Sequence, residues 1–136
     1  MSEVGYVLDA SALLAAMLGE RGADVIATHF SDACISAVNL SEVVAKLSER
    51  GVPDDAIRES LADLGLDVRD FDTAQALRAG ALRNATKAKG LSLGDRACLS
   101  LAGELGATAL TTDAAWQDTD AAWQDIDHGI AVLLAR

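Results

Sequence analysis

Residues 5–14 read GYVLDASALL. Gly5 to Leu8 is a short apolar run that ends on Asp9, the pattern of a buried strand. Ser11 to Leu18 continues at once as a helix. A strand that feeds straight into a helix is the opening of a βαβ unit, and the rest of the chain repeats it. Gly22 to Phe30 reads as a second short helix and Ala33 to Ser36 as a second strand. From Asn39 to Arg50, Leu40, Val43, Val44 and Leu47 recur at the i, i+3, i+4, i+7 spacing of an amphipathic helix. Gly51 stops it, and Pro53 with Asp54 starts the next helix, Asp55 to Leu64. Leu66 to Val68 is a weak third strand. Thr73 to Asn84 is a helix with Ala76, Leu77, Ala81 and Leu82 on one face. Leu93 to Leu105 is another, with Ala97, Leu101, Ala102 and Leu105 inward. Thr108 to Leu110 and Ile130 to Leu134 supply a fourth and a fifth strand. The alternation predicts an α/β fold: a doubly wound parallel sheet of four to five strands flanked by helices. No Pro/Gly/Ser linker interrupts it, so residues 1–136 read as a single domain.

Composition agrees. Hydrophobic residues make up 51% of the chain and aromatics 4%. Twenty-seven alanines fill much of the apolar share, which favours close-packed helices over a bulky β-sandwich. Pro53 is the only proline, too little turn chemistry for an all-β fold. Acids outnumber bases 21 to 11, for a net charge of −10. That balance argues against a free-standing nucleic-acid binder, whose affinity comes from Lys and Arg on phosphates, and against anionic membrane. It leaves room for a nuclease that meets its substrate through a divalent metal. No apolar run approaches a membrane span, and Met1-Ser2-Glu3-Val4 lacks the start of a signal peptide, so a cytoplasmic protein is expected. Cys34 and Cys98, far apart among apolar neighbours, fit two buried free thiols.

Four acids share a local context. Asp9 ends the first strand, and Glu42 lies in the first turn of the helix after strand two. Asp95 lies in the first turn of a later helix, and Asp113 follows the fourth strand. In an open α/β sheet these positions gather along one edge, where ligands bind. Each acid also has a plainer explanation. Asn39/Glu42 and Ser92/Asp95 have capping-box spacing, and Asp9 and Asp113 can cap the helices that follow. Jointly the four predict a carboxylate crevice. At ~4 Å and an effective dielectric of ~20, one like-charged pair costs about 4 kcal/mol. Such a site protonates, spreads or binds a cation. Oxygen ligands without His or Cys select a hard ion, Mg²⁺ or Mn²⁺, which suits phosphodiester hydrolysis.

Four segments together, LDAS at 8–11, N-x-S-E at Asn39 to Glu42, L-x-x-x-D at Leu91 to Asp95 and TTD-x-x-W at Thr111 to Trp116, resemble the PIN domain. The likeness is to the VapC-like ribonuclease toxins of type II toxin–antitoxin pairs, and it spans nearly the whole chain. The resemblance implies a PIN-like sheet and a Mg²⁺- or Mn²⁺-dependent endoribonuclease whose metal-binding, catalytic acids are Asp9, Glu42, Asp95 and Asp113. It implies auxiliary roles for Ser11 and Thr112 in positioning water or phosphate. It also implies an RNA substrate, a homodimer and a cognate antitoxin that pushes a basic side chain into the acidic crevice.

One feature departs from the family. Residues 113–119 read DAAWQDT and residues 120–126 read DAAWQDI, a tandem duplication. It leaves Asp113 and Asp120 as candidates for the late acid. Asp113 is preferred because it directly follows the strand and the Thr111-Thr112 pair, and Asp118 or its copy Asp125 is a possible outer ligand. A slipped insertion in a surface segment is the plainer account.

Among the remaining residues, His29 and His128 stand alone, so a metal-activated water is a better nucleophile source than a histidine base. Trp116 and Trp123 suit packing over a helix more than base stacking. Arg78, Arg83, Lys87 and Lys89 form either a solvated helix face or a basic strip that guides RNA. No Gly-x-Ser-x-Gly elbow or phosphate-binding Gly-rich loop is present. Two other functions compete. A catalytically inactive PIN-like binding module would bind Mn²⁺ weakly or not at all. A phosphoacceptor receiver domain needs an acidic pair near strand one, where Val7-Leu8 stand, and a late Lys, whereas no Lys lies beyond Lys89.

Overall fold

Successive residues of the central strands point into two different cores. Val7, Cys34 and Ala109 face one cluster, while Leu8, Ile35 and Leu110 face the other. Strands buried on both faces read as continuous apolar runs and require helices above and below the sheet. The computed structural model describes residues 4–87, 90–113 and 130–135. Its strands are β1 (Tyr6–Leu8), β2 (Ala33–Ser36), β3 (Val68–Arg69), β4 (Thr108–Thr111) and β5 (Val132–Leu134). Its helices are α1 (Ala10–Leu18), α2 (Ala23–His29), α3 (Ala37–Glu49), α4 (Asp54–Leu64), α5 (Thr73–Thr86) and α6 (Leu93–Leu105). A 3₁₀ turn at Phe30–Asp32 leads into β2.

All strand pairs are parallel, in the order β3-β2-β1-β4-β5. Leu8 pairs with Ile35 on one side and Leu110 on the other. The chain builds outward from β1 through β2 to β3, then returns to add β4 and β5 on the opposite side. The strand order therefore reverses between β1 and β4, and a crevice opens beyond their carboxyl ends. Helices α1 to α4 cover one face, with Leu13, Ile26, Val43, Leu47 and Ile57 packed on Leu8, Ile35 and Leu110. Helices α5 and α6 cover the other with Leu82, Cys98, Leu99, Leu101 and Ala102. Cys34 and Cys98 are buried free thiols.

The fold class is the expected one, with shifts at several boundaries. Helix α3 starts at Ala37, not Asn39, because the Ser36 hydroxyl caps it by accepting from Val38 N at 3.2 Å. Asn39 consequently lies inside the first turn and Glu42 in the second. Strand β3 is Val68–Arg69 rather than Leu66 to Val68, and β4 runs on to Thr111.

The buried face of α5 also differs. It consists of Gln75, Ala79, Leu82 and Thr86, whereas Ala76, Leu77 and Ala81 face solvent and Leu77 is 71% exposed. Polar side chains on this face find hydrogen-bond partners within α5 and on α6. Thr86 Oγ1 donates to the Leu82 carbonyl at 2.8 Å, Gln75 Nε2 donates to Glu104, and Ser100 Oγ donates to the Gln75 carbonyl at 3.3 Å. A helix rich in alanine carries too weak an apolar stripe to reveal this orientation in advance.

Leu82→Ala should therefore cost about 2–4 kcal/mol of unfolding free energy, and Leu77→Ala less than about 0.5 kcal/mol. Urea denaturation of the two variants checks the contrast, and equal losses would contradict this orientation of α5.

Candidate active site at the carboxyl edge of the sheet

The crevice beyond β1 and β4 encloses about 120 Å³ and is lined by Asp9, Ser11, Asn39, Glu42, Asp95 and Asp113, with Ala10 and Lys46 completing it. All four acids expected from the sequence thus share one depression, although they come from four separate segments. Asp9 follows β1, Glu42 projects from α3, Asp95 from the first turn of α6, and Asp113 from the segment after β4. A larger cavity of about 400 Å³ lies toward the amino ends of β1 and β2. Its polar groups are already engaged: Asp32 Oδ1 accepts from Gly5 N, and Arg69 pairs with Asp67.

Asp9 is the most deeply held of the four, at 5% exposure. Its Oδ1 accepts from Ala12 N at 2.8 Å, which caps α1, and from the Ser11 hydroxyl at 2.7 Å. Its Oδ2 accepts from the Thr111 hydroxyl at 2.5 Å. Each hydroxyl in turn accepts from a backbone amide of the following segment. Thr112 N donates to Ser11 Oγ at 3.1 Å, and Asp113 N donates to Thr111 Oγ1 at 3.0 Å. Two parallel relays therefore run from successive amides, through one hydroxyl each, to the two oxygens of a single carboxylate. They tie the turn after β4 to the end of β1 and fix where Asp113 begins.

The hydroxyl set against Asp9 beside that of Ser11 belongs to Thr111, while Thr112 contributes its amide. The Thr111-Thr112 pair marks this segment in the sequence. Only the true end of β4 decides which member turns toward Asp9.

Glu42 is half-buried, and its Oε1 accepts from Asn39 Nδ2 at 3.1 Å. The same amide nitrogen donates to the Gly94 carbonyl at 3.0 Å, bridging α3 to α6. Gly94 is buried, and a Cβ there would overlap the Glu42 carboxylate, so a side chain at this position would displace Glu42 from its place. Asp95 closes a capping box with Ser92: Asp95 N donates to Ser92 Oγ at 3.2 Å and Ser92 N to Asp95 Oδ2 at 3.0 Å. The plainer capping roles are thus met at Asp9 and Asp95 alongside any chemistry. For Glu42, the expected capping box is replaced by the hydrogen bond from Asn39, because α3 begins two residues earlier.

Burial raises the Asp9 carboxyl from an ordinary value of 3.8 to about 6, against the pull of its hydrogen bonds from Thr111, Ser11 and Ala12, with the charge of Asp95 adding to the rise. Burial, followed by the charge of Asp95, also raises Glu42, while Asn39 and Lys46 act the other way. The acids thus sense one another's charge, the condition under which a cation gains most.

The donor set fits a hard divalent ion. Every candidate ligand is an oxygen, and Asn39 Oδ1, buried at the same crevice, has no hydrogen-bond partner in the structure. Among the described residues no three His, Cys, Asp or Glu side chains already stand together around one point. That spacing is compatible with Mg²⁺, which takes one or two carboxylates and completes its shell with water.

Of the other candidates, Arg83 and Lys87 are exposed on α5, Arg78 is half-buried, and His29 packs on Tyr6 with ring centroids 4.1 Å apart. Asp118, Asp120, Asp125, Trp116, Trp123, His128 and Lys89 lie outside the described residues.

A parallel sheet ordered 3-2-1-4-5, covered by helices on both faces and carrying acids at its carboxyl edge, defines a PIN-like α/β domain. The model of the PIN domain family matches residues 6–122, and the chain belongs to that family. In structure it is similar to a DNA-bound VapBC complex from Salmonella typhimurium, at 20% identity and a TM-score of 0.66, covering 98% of this chain and 99% of that one. It is also similar to a toxin–antitoxin complex from Klebsiella pneumoniae, at 18% identity and a TM-score of 0.68, covering 97% and 98%. VapBC2 from Rickettsia felis, bound to a promoter DNA fragment, matches at 16% identity and a TM-score of 0.68, covering 95% and 97%. At these identities the likeness is one of fold. No curated protein matches the chain.

The raised pKa of Asp9 has a consequence for stability. A carboxyl whose folded value lies above its unfolded one supports the fold fully below pH 3.8, and that support is lost as pH rises through about 6. The shift corresponds to about 3 kcal/mol. Asp9→Asn keeps the shape, and the Thr111 hydroxyl can then turn to Ser11 Oγ, 3.1 Å away. In EDTA, the stability difference between variant and wild type should grow in the variant's favour between pH 4 and 7. Chemical denaturation across that range measures it, and parallel pH profiles would refute the assignment.

Proposed function

We propose that this chain is a divalent-metal-dependent endoribonuclease that acts as the toxin of a toxin–antitoxin pair. The observation that carries the reading is the meeting of four carboxylates, from four distant segments, in one crevice at the switch point of the sheet. Membership of the PIN family and similarity of fold to toxin–antitoxin complexes support it.

In this reading Asp9, Glu42, Asp95 and Asp113 hold Mg²⁺ or Mn²⁺. When bound, such an ion polarises the phosphoryl group and makes water a usable nucleophile at neutral pH. The chain's own groups do the positioning. With Asp9 ionised, both the Ser11 and Thr111 hydroxyls spend their hydrogens on it, so its oxygens keep a fixed direction toward the crevice. The Asn39 amide does the same for Glu42. Lys46, exposed at the rim, offsets part of the negative charge that an RNA phosphate meets on entry. Exposed Arg83 and Lys87 supply a basic approach for the strand. The antitoxin partner is a protein that carries a basic side chain into the crevice, and the toxin itself pairs as a homodimer. Among the described residues no helix is long and apolar enough to cross a membrane.

Two measurements test the reading. Mn²⁺ should raise the melting temperature progressively, by about 2.7 kcal/mol of added stability at a hundred times its dissociation constant. With Mn²⁺ present, the wild type should cut at least one member of a broad RNA panel. Asp9→Asn and Asp95→Asn should each lose roughly two orders of magnitude or more in rate while keeping their circular dichroism. A wild type that binds Mn²⁺ yet cuts no RNA would defeat the ribonuclease reading, and one that ignores the metal would leave the inactive PIN-like binding module instead.

A further inference from the structure

One side chain that lines the crevice is a buried carboxamide rather than a carboxylate. Asn39 is 1% exposed, on the first turn of α3. Its Nδ2 spends both hydrogens, one on Glu42 Oε1 at 3.1 Å and one on the Gly94 carbonyl at 3.0 Å. The first bond is local, within one helical turn. The second spans 55 residues and fixes the first turn of α6, where Asp95 sits, against α3. A single amide therefore sets Glu42 relative to Asp95. Gly94 has no side chain to intrude, so α6 comes close enough for the bond to form. The other end of the amide, Oδ1, has no partner although it is buried. The amide is oriented by its two acceptors, since turning it over would set an oxygen against both a carboxylate and a carbonyl.

Resting on the metal-dependent reading above, we propose that Asn39 is a positioning residue that holds the Glu42 carboxylate and the α6 amino terminus in one register and thereby sets the affinity of the crevice for a divalent cation. An unheld Glu42 would swing away from Asp95 to relieve like-charge repulsion, and the crevice would have to draw it back on each binding event. Partners that orient metal-holding carboxylates in this way are worth about ten- to a hundredfold in affinity when removed.

Isothermal titration with Mn²⁺ alone, on the wild type and four variants, tests this. Asn39→Ala should weaken binding at least about tenfold. Glu42→Ala should weaken it at least as much, and Asn39→Ala should cost clearly less in the Glu42→Ala background than in the wild type, because only the bond to Gly94 is then left to lose. Asn39→Asp provides the arm that preserves volume if the alanine variant fails to fold. It adds a negative charge, which by itself would tighten cation binding, but it removes both donated hydrogens. Weaker binding by Asn39→Asp supports the proposal. Tighter or unchanged binding overturns it, as does a loss from Asn39→Ala that is equally large with and without Glu42. Failure of the wild type to bind Mn²⁺ would instead remove the metal-dependent reading and this role with it, so the two failures are distinguishable.

Discussion

Like charges held together in a poorly solvated place repel, and the chemistry of this domain is organised around that repulsion. The parallel sheet reverses its strand order between β1 and β4, and whatever follows those strands is delivered to one edge. Here the delivered groups are acids. Burial alone pushes Asp9 toward its neutral form, and Asp95 raises both Asp9 and Glu42 further. The fold opposes this with directed hydrogens, two hydroxyls and an amide on Asp9 and a carboxamide on Glu42, to which the charge of Lys46 adds at Glu42. Among the described residues Lys46 is the one cation that lines the crevice, and it is exposed.

The rest of the architecture holds these groups in place. Two cores, one on each face of a five-stranded sheet, fix the directions of β1 and β4. At the contact of α3 with α6, Gly94 leaves room for the Glu42 carboxylate. The C-terminal turn of α6 ends on Gly106, whose φ of 64° lets the chain fold back directly into β4. From there Thr111 returns the chain to Asp9. The core and the site are therefore linked through backbone geometry as well as through packing.

The amino-acid sequence discloses much of this, and the limits have physical causes. Alternation of apolar strands with amphipathic helices was enough for a parallel α/β sheet, because residues buried on both faces leave a plain signature. Asp9, Glu42, Asp95 and Asp113 were legible as a set, because strand ends and helix starts share an edge in any such sheet. What could not be read was orientation. Gln75 and Thr86 are buried on α5 with hydrogen bonds, one to α6 and one within the helix, that hydropathy does not register. Asn39 looked like a cap, since its spacing to Glu42 matches a capping box. Only the earlier start of α3 at Ser36 turns it into a bridge between helices. Thr111 and Thr112 differ only in which lies inside β4.

The double relay on Asp9 means that one carboxylate serves at once as a helix cap, as the anchor of the turn after β4 and as the deepest acid of the pocket. Truncating it to a methyl group would unfasten two pieces of backbone together with the charge. Alanine scanning would then mistake a loosened scaffold for lost reactivity. At this position only isosteric replacement separates architecture from chemistry.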